Sequence, residues 1–369
     1  MDIYNYIDEY GKYSFNEKKI NEVDKVIFSF LSYANLEKIF AGDDVMTIKE
    51  AGDKYLGIYR GKDKNIVAVK EANKILKSIR NTKRYRECVL SHYEYIADSD
   101  IQFGVVSIEY IPGEVYISFE GTDSMFSGWK ENFMLGLKFP TISHKKAISY
   151  LNKYYTFSNK KLIVGGHSKG GNLALVGSMY ANFFVRSKIK EIISADGPGL
   201  LDREYKSSRY KMIKKKYTHI IPNYSLIGLL LNHSNDLVVN SLTKGILAHN
   251  IANWEVENNH FKKIKLSAYS KELDKSIEKW FRKYNKQDKI EFINNLDEIL
   301  NAAGVSSILD IKRRKRKILS LVYESKSMDK KTKKVFIEFI GILIKCFGSV
   351  KKEEIKEFLS NTFKIPEKS

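Results

Sequence analysis

The 369-residue sequence predicts an α/β architecture: a largely parallel sheet with flanking helices, followed by a C-terminal helical appendage. Three observations predict it. Short β-like runs alternate with helix-period segments between about residues 103 and 231. A strand, a glycine-rich turn and a helix follow one another directly at 161–184. Beyond about 267 the apolar spacing turns helical and stays so, which separates the appendage from the sheet.

Along the chain, Ile20, Val23, Ile27, Phe30 and Leu31 share one helical face, so residues 1–40 read as mostly helical. Ile75, Ile79, Val89, Tyr93 and Ile96 extend a second helical region over 70–97. The period then becomes two, with Val105, Ser107 and Glu109 alternating with Val106, Ile108 and Tyr110. Pro112-Gly113 makes a hairpin tip, and Glu114 to Phe119 is the returning strand. A helix over 144–155 precedes the buried strand Lys161–Gly166 and a helix from about 170 to 184. Ile189–Ala195 is the next strand, closed by Asp196-Gly197-Pro198-Gly199, with further strands expected near 217–222 and 225–231. Leu273, Ile277, Trp280, Phe281, Tyr284, Ile290, Ile293, Leu296 and Ile299 then keep helix spacing. The expected division is a sheet domain over 1–266, whose mostly helical segment 1–97 is placed to cap a pocket, and a basic helical region over 267–369.

Hydrophobic residues make up 43% and aromatic residues 12%, enough for a sizeable core and against wholesale disorder. The net charge is +19, and residues 270–369 hold 24 Lys and Arg against 15 Asp and Glu, so the tail is the more basic region per residue. Such a balance fits either solvated lysine faces or an acidic partner. Its densest point is Lys312-Arg313-Arg314-Lys315-Arg316-Lys317, which reads as a solvated helix face or as a contact for an anionic membrane surface. No recognisable nucleic-acid fold accompanies it, so sequence-specific nucleic-acid binding is not expected. Cys88 and Cys346 are too few for a disulfide framework or a cysteine metal cluster and fit a reducing compartment. The start Met1-Asp2-Ile3-Tyr4 has no signal-peptide pattern, and the apolar stretch Val335–Ile344 is interrupted by Glu338 and far short of a span. The expectation is a cytoplasmic protein, with peripheral membrane contact as an option. Neither a metal nor an organic cofactor is expected, because HExxH, Cys/His metal spacing, a P-loop and a GxGxxG after a strand are all lacking.

The chemistry is concentrated at Gly166-His167-Ser168-Lys169-Gly170, a G-x-S-x-G preceded by the apolar Leu162-Ile163-Val164 and followed by Leu173-Ala174-Leu175. A nucleophilic serine needs this context: a strand delivers it to a sharp turn, small residues two before and two after avoid clashes, and a helix departs at once. The helix amino terminus then faces developing negative charge. The pattern predicts the nucleophile elbow of an α/β-hydrolase-type enzyme, with Ser168 as the expected nucleophile. An oxyanion needs two donors, expected as the backbone N–H of Lys169 and a donor from the strand exit Phe119-Glu120-Gly121-Thr122-Asp123, where Thr122 offers its N–H and hydroxyl. In this arrangement acid and histidine follow the serine in order. Asp236, in a polar loop after the apolar run Leu226–Leu231, is the first choice of acid, with Asp196 second; His249 is the first choice of base, with His260 its rival.

Phe119-Glu120-Gly121-Thr122-Asp123 followed by Trp129-Lys130-Glu131-Asn132 resembles the oxyanion segment of class 3 lipases. Gly166-His167-Ser168-Lys169-Gly170-Gly171-Asn172, the Asp196–Gly199 turn and His249 followed by Trp254 are more similar still to a bacterial group of lipase-like α/β-hydrolases of undefined function. The resemblance covers about residues 1–265 and implies a Ser168–Asp236–His249 triad acting on an ester. Glu120 in place of a common Arg, and Lys169 in place of a hydrophobic residue, point away from triacylglycerol as substrate. Two readings of function follow: a serine hydrolase acting on a small-molecule or lipid ester, or a catalytically silent hydrolase fold used for binding. The acyl group, the alcohol and the oligomeric state are not encoded in any recognisable sequence pattern.

Overall fold

The computed structural model describes residues 1–41, 44–59, 67–98, 101–122, 135–305 and 314–346. Its centre is an eight-stranded sheet whose spatial order follows the sequence: β1 (Val45–Thr47), β2 (Val89–Ala97), β3 (Gln102–Ile111), β4 (Glu114–Phe119), β5 (Lys161–His167), β6 (Ile189–Ala195), β7 (Tyr217–Pro222) and β8 (Asp236–Val239). The pairs from β4 to β8 are all parallel, and β1 to β4 extend the sheet as antiparallel strands. A small hairpin of Val256–Glu257 (β9) and His260–Phe261 (β10) follows. With helices on both faces and a serine raised on a turn after β5, this is the α/β-hydrolase type of fold expected.

Strand alternation sorts the core. Val105, Val115, Ile117, Leu162 and Val164 face one side, packing on α6 (Ile142–Tyr155) and α7 (Lys169–Tyr180). Val106, Ile108, Tyr116 and Ile163 face the other, against α1 (Ile3–Tyr10), α2 (Glu22–Leu31) and α5 (Val67–Ile79). The amino-terminal helices therefore form the layer over one sheet face, joined to β4 by Ser32 and Ser118 hydroxyls at 3.1 Å. Each side chain on a strand can serve only one face, which is why a period of two in the sequence divides these two clusters. Helix starts are fixed locally: Asn21 caps α2 reciprocally with Asp24, and Thr141 caps α6 with His144. Between these elements lie the short helices α3 (Leu36–Ile39), α4 (Ile48–Tyr59), α8 (Phe183–Lys188), α9 (Asp202–Tyr205) and α10 (Ser208–Ile213).

The carboxyl-terminal helices α11 (Ala268–Lys283), α12 (Lys286–Ala302), α13 (Lys315–Glu324) and α14 (Lys330–Cys346) build a third cluster around Trp280, Phe292, Phe336 and Phe339. Leu226 and Ile227 of the sheet domain's 223–231 loop belong to this cluster as well. Lys312 and Arg313 lie outside the described residues; Arg316 and Lys317 are exposed at the start of α13, while Arg314 donates to the Ala303 carbonyl at 3.1 Å. No described helix is long and apolar enough to cross a membrane.

Two expected elements differ. Residues 89–97 are strand β2, not helix: a bulge between Ser91 and Glu94, with His92 at φ 51°, breaks the strand's alternation and leaves Val89, Tyr93 and Ile96 at spacings that imitate a helix. The run 225–231 is a series of turns, not a strand. Leu226, Ile227 and Leu229 are buried, the first two against the carboxyl-terminal helices, while Ser225 and Gly228 bond to Asp196.

Candidate active site

Parallel strands align their carboxyl ends, and the register places β4, β5 and β6 side by side: Phe119 opposite Gly166, Gly166 opposite Ser194, His167 opposite Ala195. The next residues, Ser168 and Asp196, leave the sheet together. The Ser168 N–H donates to the Ala195 carbonyl at 2.9 Å, and the Asp196 N–H to the Ile220 carbonyl at 2.7 Å. Both bend sharply, Ser168 at φ 56°, ψ −129° and Asp196 at φ 47°, a backbone region that costs an ordinary residue free energy and persists only when its surroundings enforce it.

Here the enforcement is steric. A Cβ on Gly170 would lie 2.0 Å from the Phe119 carbonyl oxygen, and one on Gly166 would lie 2.4 Å from the Gly170 carbonyl carbon. The strand end, the turn and the first helical turn of α7 thus close on one another through backbone alone. Lys169 opens α7, so its backbone N–H lies ahead of the first hydrogen bond within the helix and points out of its amino terminus. Gly121 packs against the same turn, where a Cβ would come 2.5 Å from the His167 carbonyl oxygen, and Thr122 follows it. Asp123, Trp129, Lys130, Glu131 and Asn132 lie outside the described residues.

His249 reaches this turn from a 3-10 segment, Gly245–His249. Its Nδ1 donates to Asp196 Oδ2 at 2.6 Å, and its carbonyl accepts from His167 Nε2 at 2.9 Å. The His167 and His249 rings lie 4.3 Å apart, centroid to centroid. A carboxylate only accepts, so a neutral His249 carries its proton on Nδ1 and keeps the lone pair on Nε2. Asp196 is fully buried, and its other oxygen accepts from the Ser225 hydroxyl and, at 3.1 Å, from the Gly228 N–H. His167 sits beneath, its Nδ1 3.1 Å from the Tyr33 hydroxyl. Burial, and then the nearby His249, hold its pKa well below the ordinary histidine value, so it is neutral.

Asn172 connects the serine turn to the acid turn. Its amide donates to the Gly199 carbonyl at 2.6 Å, and its Oδ1 meets His144 Nε2 at 2.7 Å. This explains why Gly-His-Ser-Lys-Gly-Gly-Asn and Asp-Gly-Pro-Gly occur together. The two departures from the lipase-like pattern are also joined: buried Lys169 donates through Nζ to the Gln102 carbonyl, and the Gln102 side-chain amide meets buried Glu120 at 3.4 Å.

Of the expected residues, Ser168 and Lys169 form the turn, His249 lies against its neighbours His167 and Asp196, and Thr122 is on the adjoining segment. Asp236 does not. It opens β8 at the amino-terminal end of that strand, paired in register with His219, and its carboxylate binds His219 Nδ1 at 2.8 Å and His233 Nδ1 at 2.8 Å. The reason is the misread strand: with 225–231 turned, Asp236 begins a strand instead of following one. Burial opposes ionisation of Asp236, but the bonds from the two histidines outweigh it and hold its carboxyl below the ordinary range. The acid beside His249 is Asp196, the second choice. The rival base His260 lies in β10 with a half-exposed side chain, its Nε2 3.7 Å from Glu257. Tyr33 carries no mark in the linear pattern, whereas His167 and Asn172 stand within the motif itself.

The fold and the serine turn define an α/β-hydrolase-type protein. Residues 79–298 match the Mbeg1-like family model, well over half of the chain, and the chain belongs to that family. Among solved structures, one with partial similarity is the M37 lipase, at 17% identity with a TM-score of 0.35, covering 56% of this chain and 68% of that one. Another is a fungal lipase in complex with an inhibitor, at 12% identity with a TM-score of 0.29, covering 55% and 72%. No curated protein matches the sequence significantly.

Proposed function

We propose that this protein is a serine hydrolase that cleaves an ester through an acyl-enzyme on Ser168, with His249 as base and Asp196 as the acid that orients it. The observation that carries the reading is the 2.6 Å contact of His249 Nδ1 with Asp196 Oδ2, next in register to a serine held at φ 56°. Ser168 Oγ attacks the ester carbonyl carbon while His249 Nε2 takes its proton. The tetrahedral oxyanion is met by the N–H of Lys169 and a donor from Thr122. His249 then passes the proton to the leaving alkoxide, and a water activated in the same way releases the acid. Neutral His167 supports this cycle, because it fixes the backbone of His249 without placing a second charge beside the imidazolium that forms.

An ester, of a small molecule or of a lipid, is the substrate class of this reading. A fluorophosphonate probe tests the chemistry: labelling of the folded protein that disappears in Ser168→Ala supports it. Folded protein that takes no label favours a catalytically silent binding fold. Hydrolysis of p-nitrophenyl esters of graded chain length then assigns the acyl group.

A further inference from the structure

His219, His233 and Asp236, set aside by the triad, bring three ligand atoms within 4.8 Å of one another. His219 Nδ1 lies 2.8 Å from Asp236 Oδ1, and His233 Nδ1 lies 3.0 Å from the same oxygen and 2.8 Å from Oδ2. Ligand atoms around a tetrahedral zinc, each about 2.0–2.2 Å from the ion, are themselves about 3.3–3.6 Å apart. The three donors start at hydrogen-bond spacing and need only side-chain rotation to close on one ion.

Donor arithmetic at His219 points the same way. Its side chain is fully buried, and its Nε2 faces the Gly197 carbonyl oxygen at 2.9 Å while Nδ1 faces the carboxylate. Both neighbours only accept. A neutral imidazole has one N–H, so one nitrogen would face an acceptor with a lone pair. Either a second proton or a metal cation at Nδ1 resolves this; with the metal, the lone pair becomes a ligand and Nε2–H donates to the backbone carbonyl, the outer-sphere bond that metal-bound histidines commonly make. His233 Nδ1 converges on the same carboxylate. The loop is built for this convergence. Asn235, at φ 61°, turns the chain between His233 and Asp236, and its side-chain amide is fixed to the Lys214 and Tyr217 carbonyls at 2.8 and 3.1 Å.

We propose that His219, His233 and Asp236 bind one divalent transition-metal ion, zinc by ligand type, with at least one position left for water or a further carboxylate. Through His219 and the Gly197 carbonyl, the ion braces the 196–199 turn that carries Asp196. The role is structural and does not depend on Ser168 being catalytic.

The test uses the full-length protein, stripped with chelator, dialysed against zinc and assayed for metal by mass spectrometry, alongside His233→Ala and Asp236→Asn. His233 is at the rim of the cluster, so its variant should fold, as circular dichroism will check. The expected result is one zinc per wild-type chain, a higher Tm with zinc than after stripping, and at least about tenfold weaker binding in folded His233→Ala. Cobalt in place of zinc should give visible d–d bands that His233→Ala changes. Substoichiometric zinc in the wild type, or equal zinc in wild type and folded His233→Ala, overturns the proposal and leaves the cluster an imidazolium–carboxylate pair.

Discussion

His249 and Asp196, 53 residues apart in sequence, meet at 2.6 Å because each is carried to the carboxyl edge of the sheet by a separate constraint. Asp196 is the residue after β6, held by Ser225 and Gly228; His249 is hung from His167 by its own carbonyl. If this contact sets the imidazole tautomer, Asp196→Asn should lower kcat for a reactive ester by about 10⁴-fold with a small change in KM. Asp236→Asn, which alters neither partner directly, should cost at most about tenfold. Steady-state kinetics on both variants, each shown folded by circular dichroism and assayed with and without zinc, decide between the two acids, and equal losses in folded proteins under both conditions would remove Asp196 from its special position.

The elbow was legible because its chemistry is local: glycines two before and two after Ser168, an apolar strand before, an Ala/Leu helix after. The acid was not, because choosing between Asp196 and Asp236 required knowing whether 225–231 is a strand. That run has a strand's apolar composition, but its side chains are spent on the carboxyl-terminal helix cluster and on Asp196. Strand β2 was hidden in the same way by one bulged residue, His92, which shifts the alternation by a position. Long-range placement, and not local propensity, decided both cases.

Backbone closure at the elbow predicts a contrast between two glycines of α7. Gly170→Ala drives a Cβ to 2.0 Å from the Phe119 carbonyl oxygen, which cannot yield without moving β4. Gly177→Ala instead meets the Leu151 Cδ1 methyl at 3.2 Å, a side chain able to give way, and gains helix propensity. Urea unfolding should show Gly170→Ala destabilised by about 2 kcal/mol or more and Gly177→Ala within about 1 kcal/mol of wild type.

Beneath the amino-terminal helices, Arg84 and Asp24 form an ion pair with no exposed surface, Nε to Oδ1 at 2.8 Å, and Asp24 also accepts from the Tyr6 and Tyr85 hydroxyls at 2.9 and 2.6 Å. Removing only the cation strands a buried carboxylate, so Arg84→Met should cost about 3–5 kcal/mol in urea unfolding. Arg84→Met combined with Asp24→Leu should recover some of this and not all, because the two tyrosine hydroxyls and the Asn21 N–H lose their acceptor, and the Lys18 and Lys19 carbonyls lose their donor. Full recovery would show that the tyrosine hydroxyls, the Asn21 N–H and the Lys18 and Lys19 carbonyls all find other partners.

His167 gives the stability a pH dependence whose sign follows from its depressed pKa. In the unfolded chain the imidazole takes a proton near the ordinary value of 6.5; in the folded protein burial, and then the neighbouring His249, prevent it. The unfolded state therefore binds more protons below about pH 6.5, so folding stability falls as pH falls through that value, by up to about 1.4 kcal/mol per pH unit from this group alone. Above pH 6.5 both states are neutral at this position and the contribution is flat. His167→Gln keeps an amide able to donate to the His249 carbonyl but cannot titrate, so its loss of stability between pH 6.5 and 5 should be shallower than that of the wild type. His92, also depressed mainly by burial, is common to both proteins and cancels in the comparison. Parallel stability profiles for the two proteins would mean that His167 is protonated alike in both states, and that the support under His249 is charged and not neutral.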